Sequence, residues 1–155
     1  MRSRVTWTMV VCGAVLIGIG LVHFSLTALQ EPGALETRIA NLAKHSVIRL
    51  ASRHGIPPPP PRASVEVGGT HFGLDCGIGH GVDGRAQTPS GQWMYPRAAD
   101  LTSKRVQSYS DQEMFWIINN GIRSTGMPGF GKLETPDHIW VWSNTCGRCR
   151  VQGRG

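Results

Sequence analysis

The chain has 155 residues, a length that fits about one domain. Only 17% of residues are charged, while Gly (20) and Pro (10) are frequent, which excludes a long coiled coil and a two-lobed enzyme. The net charge of +6 would ordinarily raise nucleic-acid binding, but the basic excess lies in residues 1–62 and 143–155, and residues 63–142 are slightly acidic. No basic stripe with interleaved aromatics appears in that middle region, so no nucleic-acid partner is expected.

Arg2 and Arg4 precede an uncharged run from Val5 to Leu29. A helix of about 20 apolar residues spans a bilayer, and a secretory signal core is about 7–15 residues. Residues 1–30 are therefore expected to form an N-terminal transmembrane anchor, or an uncleaved signal, with membrane lipid contacting 5–29. Pro32 and Gly33 follow. Within 31–56, Leu35, Ile39, Leu42, Val47 and Leu50 recur near helical spacing, with Arg38, His45, Arg49 and Arg53 on the other side. This predicts an amphipathic stalk helix, stopped by Gly55 and Pro57. Pro57 to Pro61 are consecutive prolines and predict a stiff linker over 57–62.

A soluble domain is expected over 63–142. At that size a hydrophobic core usually needs a staple, such as a disulfide, a metal or a cofactor. A short helix is expected over Val65–Cys76. Ser110 and Glu113 form a capping box that opens a helix over Asp111–Asn120, and Gly121 closes it. Thr135 with Pro136 begins a further helix. No long alternating strand pattern is present. Residues 143–155 read as an irregular basic tail, since Gly147 and Gly153 are poor helix formers and the apolar pattern stops after Trp142.

The chemistry-bearing segment is Cys76-Gly77-Ile78-Gly79-His80. A C-x-x-C-H run binds c-type haem through two thioethers and an axial histidine. Here Gly79 stands at the second thiol position, and the spacing of Cys76 and His80 suits one thioether and one iron ligand. By itself the pattern is weak. Further along lie Tyr95-Pro96-Arg97, the helix 111–120, Thr125-Gly126-Met127-Pro128, and Asp137-His138-Ile139-Trp140.

Taken in this order, residues 65–142 resemble a class I monohaem c-type cytochrome of the bacterial, membrane-anchored kind, with a degenerate CxxGH motif. The resemblance implies a mostly α, cytochrome c-like small helical domain with long loops, preceded by the transmembrane and stalk helices. It implies one haem c, held by His80 and Met127 as axial ligands, with at most one thioether, at Cys76. Met94 is a weaker thioether candidate. Tyr95 and Arg97 become candidate partners of the haem propionates, and Pro89 or Pro96 the candidate carbonyl acceptor for the second nitrogen of His80. A one-electron carrier without enzymatic activity follows, working with membrane redox proteins on the periplasmic side of the bacterial inner membrane. The departures leave two alternatives open: a haemless, degenerate cytochrome-like domain, or a thiol or zinc module built on Cys146-x-x-Cys149.

Overall fold

Two of the helices have a clear origin in their sequence. Ser110 Oγ accepts from the Glu113 backbone N–H at 3.2 Å, and the Glu113 carboxylate accepts from the Ser110 N–H at 2.7 Å. The expected capping box is complete, and the helix runs Asp111–Asn120. Gly121 ends it at φ +67°, a left-handed conformation that favours glycine. The second begins at Pro136, with the Ile139 N–H bonded to the Thr135 carbonyl at 3.1 Å.

The structure is a computed structural model and describes residues 2–23, 29–60 and 71–152, with side chains described at 4–18, 29–60 and 71–146. Its helices are α1 (Arg2–His23), α2 (Ala34–Ala51), α3 (Gly77–His80), α4 (Pro89–Trp93), α5 (Asp111–Asn120) and α6 (Pro136–Gln152). A wide π-type turn, Phe72–Cys76, leads into α3, and a 3-10 turn, Val106–Ser108, precedes α5. Residues 65–70 of the short helix expected before the motif lie outside the described residues. Among the described residues there is no strand.

Two compact units divide the chain, Met1–Gln30 and Glu31–Gly155. In the first, the expectation of a membrane-spanning helix is corrected: among the described residues, no helix is long and apolar enough to cross a membrane. Helix α1, Arg2–His23, carries Arg4, Thr6 and Thr8 in its first turns, and residues 24–28 of the uncharged run lie outside the described residues.

The core of the second unit lies between α5 and α6. Phe115 and Trp140 pack with ring centroids 4.8 Å apart, and Phe130 meets Trp142 edge-on at 5.2 Å. Ile118, Ile139 and Trp142 are all but sealed from solvent. Each such side chain contributes about 1.5–3 kcal/mol by leaving water.

Two boundaries differ from those the sequence suggests. Helix α6 continues through Gln152, so residues 143–152 are helical rather than an irregular tail. The reason is packing: Ser143 and Cys146 follow Ile139 and Trp142 onto the buried side at three- and four-residue spacing, and a packed face tolerates Gly147. Helix α2 is not a detached stalk either. Ile48 is buried, His45 stacks on Tyr109 at 5.0 Å, and Trp140 donates its indole N–H to the Pro57 carbonyl at 3.0 Å. The start of the proline run is thus tied to the last helix instead of separating two modules.

Candidate functional site

The apolar side chains of α5, the 72–80 segment and the loops around 94–106 and 122–130 do not close on one another. They leave a predominantly apolar cavity of about 280 Å³, near the lower edge of the usual range for organic ligands, about 300–1,000 Å³. Cys76, His80 and Met127 all line it. Residues 51 positions apart in the chain thereby face one space, as their assignment to one site requires.

His80 is held from both sides. Its Nδ1 lies 2.8 Å from the Ala99 carbonyl. A carbonyl only accepts, so Nδ1 carries a proton, and the tautomer of the neutral ring that this selects has its lone pair on Nε2. A metal-binding imidazole is oriented in this way by the partner of its other nitrogen. The acceptor is neither Pro89 nor Pro96, as the sequence suggested, but Ala99. The stretch around it is anchored on both sides, by Ala98 N–H to Gly91 O at 2.9 Å and Leu101 N–H to Gly84 O at 2.8 Å. The backbone of His80 is fixed as well: its carbonyl accepts from Ala86 N–H at 2.7 Å, and the Thr88 hydroxyl lies 3.0 Å from the Gly79 carbonyl. Thr88 also caps α4, accepting from Gly91 N–H at 3.0 Å. Its positioning role was not evident in the sequence; the only signal was Thr88-Pro89, a helix-start dipeptide.

Met127 is set by a close crossing of backbones. Ile122 N–H bonds to the Met127 carbonyl at 3.2 Å, and Phe130 N–H to Ile118 O at 3.0 Å. Thr125 Oγ1 accepts from Met127 N–H at 3.1 Å. The loop is therefore laced to the end of α5. Met94 lies between the two halves of the site, with its thioether against Gly126 and its methyl end near Gly79.

The Cys76 thiol is pushed up to about 11, chiefly by burial and also by the neighbouring Asp75 carboxylate. It therefore stays a neutral thiol at physiological pH. In the haem-free protein, with the other cysteines replaced by serine, alkylation of Cys76 by iodoacetamide should rise with pH towards a midpoint near 11. A midpoint in the ordinary thiol range, about 8.5, would show that the thiol is not buried as described.

At Gly79, the position of the missing thiol, an added Cβ would meet only the Met94 methyl at 3.9 Å, an ordinary contact. The backbone has room for cysteine there. The absence of the second thiol is thus a matter of sequence, not of space.

The two expected propionate partners are otherwise engaged. Tyr95 does not line the cavity; its hydroxyl donates to Glu36 at 2.6 Å, which with burial raises its pKa. Arg97 reaches the cavity wall but is paired with Glu31 at 2.6 Å. His71 and His138 stack on one another at 6.0 Å away from the cavity lining. Lys44, Arg105 and Tyr109 line the cavity without having been singled out in the sequence, because only folding brings α2 to it. Cys146 is buried on the cavity side of α6, and the side chain of Cys149 lies outside the described residues. Among the described residues, no three His, Cys, Asp or Glu side chains gather as metal ligands, so nothing there supports the zinc module.

The residues present fit a haem on observations of the site itself: an imidazole with a fixed tautomer and a free Nε2, a thioether facing the same space, and apolar walls.

No family model matches the chain. No curated protein matches it. Among solved structures, a chain of the reducing HAO-like protein complex of Kuenenia stuttgartiensis is similar, with a TM-score of 0.52 and 22% identity. The match covers 61% of this chain and 47% of that one, so this chain spans about half the length of its structural neighbour. At that identity the likeness is one of fold: the mostly helical arrangement described above is shared with a known protein structure.

Proposed function

We propose that residues 31–152 form a cytochrome-like haem domain that carries one electron at a time. The observation that carries the reading is the His80 imidazole, with Nδ1 fixed on the Ala99 carbonyl, on the wall of an apolar cavity that Met127 and Cys76 also line. His80 Nε2 and the Met127 sulfur would hold the iron, and the Cys76 thiol would add its S–H across a vinyl double bond of the porphyrin to give a thioether. When bound, the group supplies a one-electron iron couple, whose potential Met/His ligation raises. Two protein ligands to the iron would favour a carrier over an enzyme. The proposal includes other redox proteins as partners, consistent with a structural neighbour drawn from a protein complex. It also includes the bacterial periplasm as location, since haem is attached to cysteines outside the cytoplasm in the cytochromes this chain resembles.

Gly79 favours a second reading, a haemless descendant of such a domain. One experiment separates the two. The full chain is expressed with cytochrome c maturation factors, and haem and thiols are assayed after denaturation. Under the first reading, haem stays on the denatured chain and one cysteine is consumed. Gly79→Cys consumes two, and Cys76→Ala none. Failure of the native chain to take up haem, in cells or from added haemin, overturns the carrier reading in favour of the haemless one.

A further inference from the structure

Among the cations that line the apolar cavity, neither Lys44 nor Arg105 pairs with the Asp75 carboxylate that also lines it. Lys44, on α2, is half-buried and lines the cavity one turn from the sealed Ile48. Arg105 lines the same cavity from the turn that leads into Val106. The two segments are brought together by the His45–Tyr109 stack at 5.0 Å, and Tyr109 is itself a cavity residue. Neither the Lys44 nor the Arg105 side chain forms an ion pair with a described residue, and the Tyr109 hydroxyl makes no hydrogen bond to one. The contrast with Arg97, paired to Glu31 at 2.6 Å, is direct.

A half-buried ammonium against an apolar wall without a partner is costly, and the exposed Arg105 guanidinium nearby repels it. The Lys44 ammonium shows this strain: its pKa is lowered, first by burial and then by the Arg105 guanidinium. The Tyr109 phenol is pushed up, chiefly by burial, and so remains a hydrogen-bond donor. An anion on this wall would relieve the repulsion and satisfy all three donors. An apolar body with carboxylates at one edge is the ligand chemistry that fits such a wall.

We infer that Lys44, Arg105 and Tyr109 form a carboxylate-binding wall that holds the propionate groups of the bound haem. The inference rests on the haem reading above and replaces Tyr95 and Arg97 in that role. It also gives α2 a function: this helix, which the sequence presents as a stalk, becomes a wall of the cofactor site. Arginine suits a carboxylate as a planar fork, lysine as a point charge, and the tyrosine hydroxyl as a single donor.

The test compares haemin with its dimethyl ester, in which both carboxylates are masked. The full chain, produced without haem, is titrated with each and followed by absorbance. The native protein should bind haemin at least about tenfold more tightly than the ester, since hydrogen bonds to charged groups are the strong ones. The double variant Lys44→Gln, Arg105→Gln should lose that preference while binding the ester as the native protein does. Lys44→Arg should keep it. Circular dichroism and urea unfolding check that each variant folds. Equal binding of haemin and ester by the native protein, or an undiminished preference in the double variant, overturns this inference and leaves the haem reading standing. Failure of both porphyrins to bind the native protein overturns the two together.

Discussion

Replacing His80 by alanine in a Cys76→Ala background, where no thioether can form, should lower haem affinity by at least about 100-fold. Removing an outer partner of a ligating histidine costs about 10–100-fold, and loss of the ligand itself costs more. The effect should be large because the structure prepays the geometry. The Nδ1 bond to Ala99 at 2.8 Å and the Ala86–His80 backbone bond at 2.7 Å hold the ring before any ligand arrives. Haemin titration followed by absorbance is the measurement. Met127→Ala should behave differently. It should retain haem through His80 and lose the methionine–iron charge-transfer band of the oxidised protein. Undiminished binding in the His80 variant would remove histidine from the site. Persistence of the band in the Met127 variant would turn attention to Met94, whose thioether lies against Gly126.

Gly121→Ala should be strongly destabilising although it touches no ligand. Gly121 has φ +67°, and a Cβ there would lie 2.6 Å from the Pro128 carbonyl carbon and from Gly129 N, and 2.8 Å from the Met127 carbonyl. Both sides of the collision are backbone, so no rotamer relieves it. The conformation costs about 1–3 kcal/mol and the overlap about as much again, against a total stability of about 5–15 kcal/mol for a typical domain. The urea midpoint should fall sharply. In any folded fraction, the displaced 127–129 loop should also lose the methionine–iron signature. Gly121→Asn should rescue little, because asparagine tolerates positive φ but brings the same Cβ. Native-like stability in either variant would mean that the two segments do not cross so closely. The mirror contact supports the crossing: a Cβ on Gly129 would lie 2.6 Å from the Asn120 carbonyl oxygen.

Local signals were legible where the physics is local. The Ser110–Glu113 box and the Thr135-Pro136 start act within one helical turn, and both helices begin where those residues place them. The spacing of Cys76 and His80 was readable for the same reason. The last helix shows the limit. Propensity stopped it near Trp142, yet burial of Ser143 and Cys146 carries it to Gln152. The apolar N-terminal run shows the opposite error. Its 25 uncharged residues suggest a span, but the described helix carries Arg4, Thr6 and Thr8 at its start, and no helix among the described residues is long and apolar enough to cross a membrane.

The sequence alone therefore determined which residues bear the chemistry: a thiol and an imidazole four apart, a thioether far downstream, and a glycine where a second thiol would stand. Tertiary structure alone decided what surrounds them. It selected the Ala99 carbonyl as the partner of His80, engaged Tyr95 and Arg97 with Glu36 and Glu31, and brought Lys44 beside Arg105. Helix caps and motif spacings depend on neighbours within a few residues. The second partner of a ligand and the neighbours of a half-buried cation depend on which distant backbones pack together, and no local pattern encodes that.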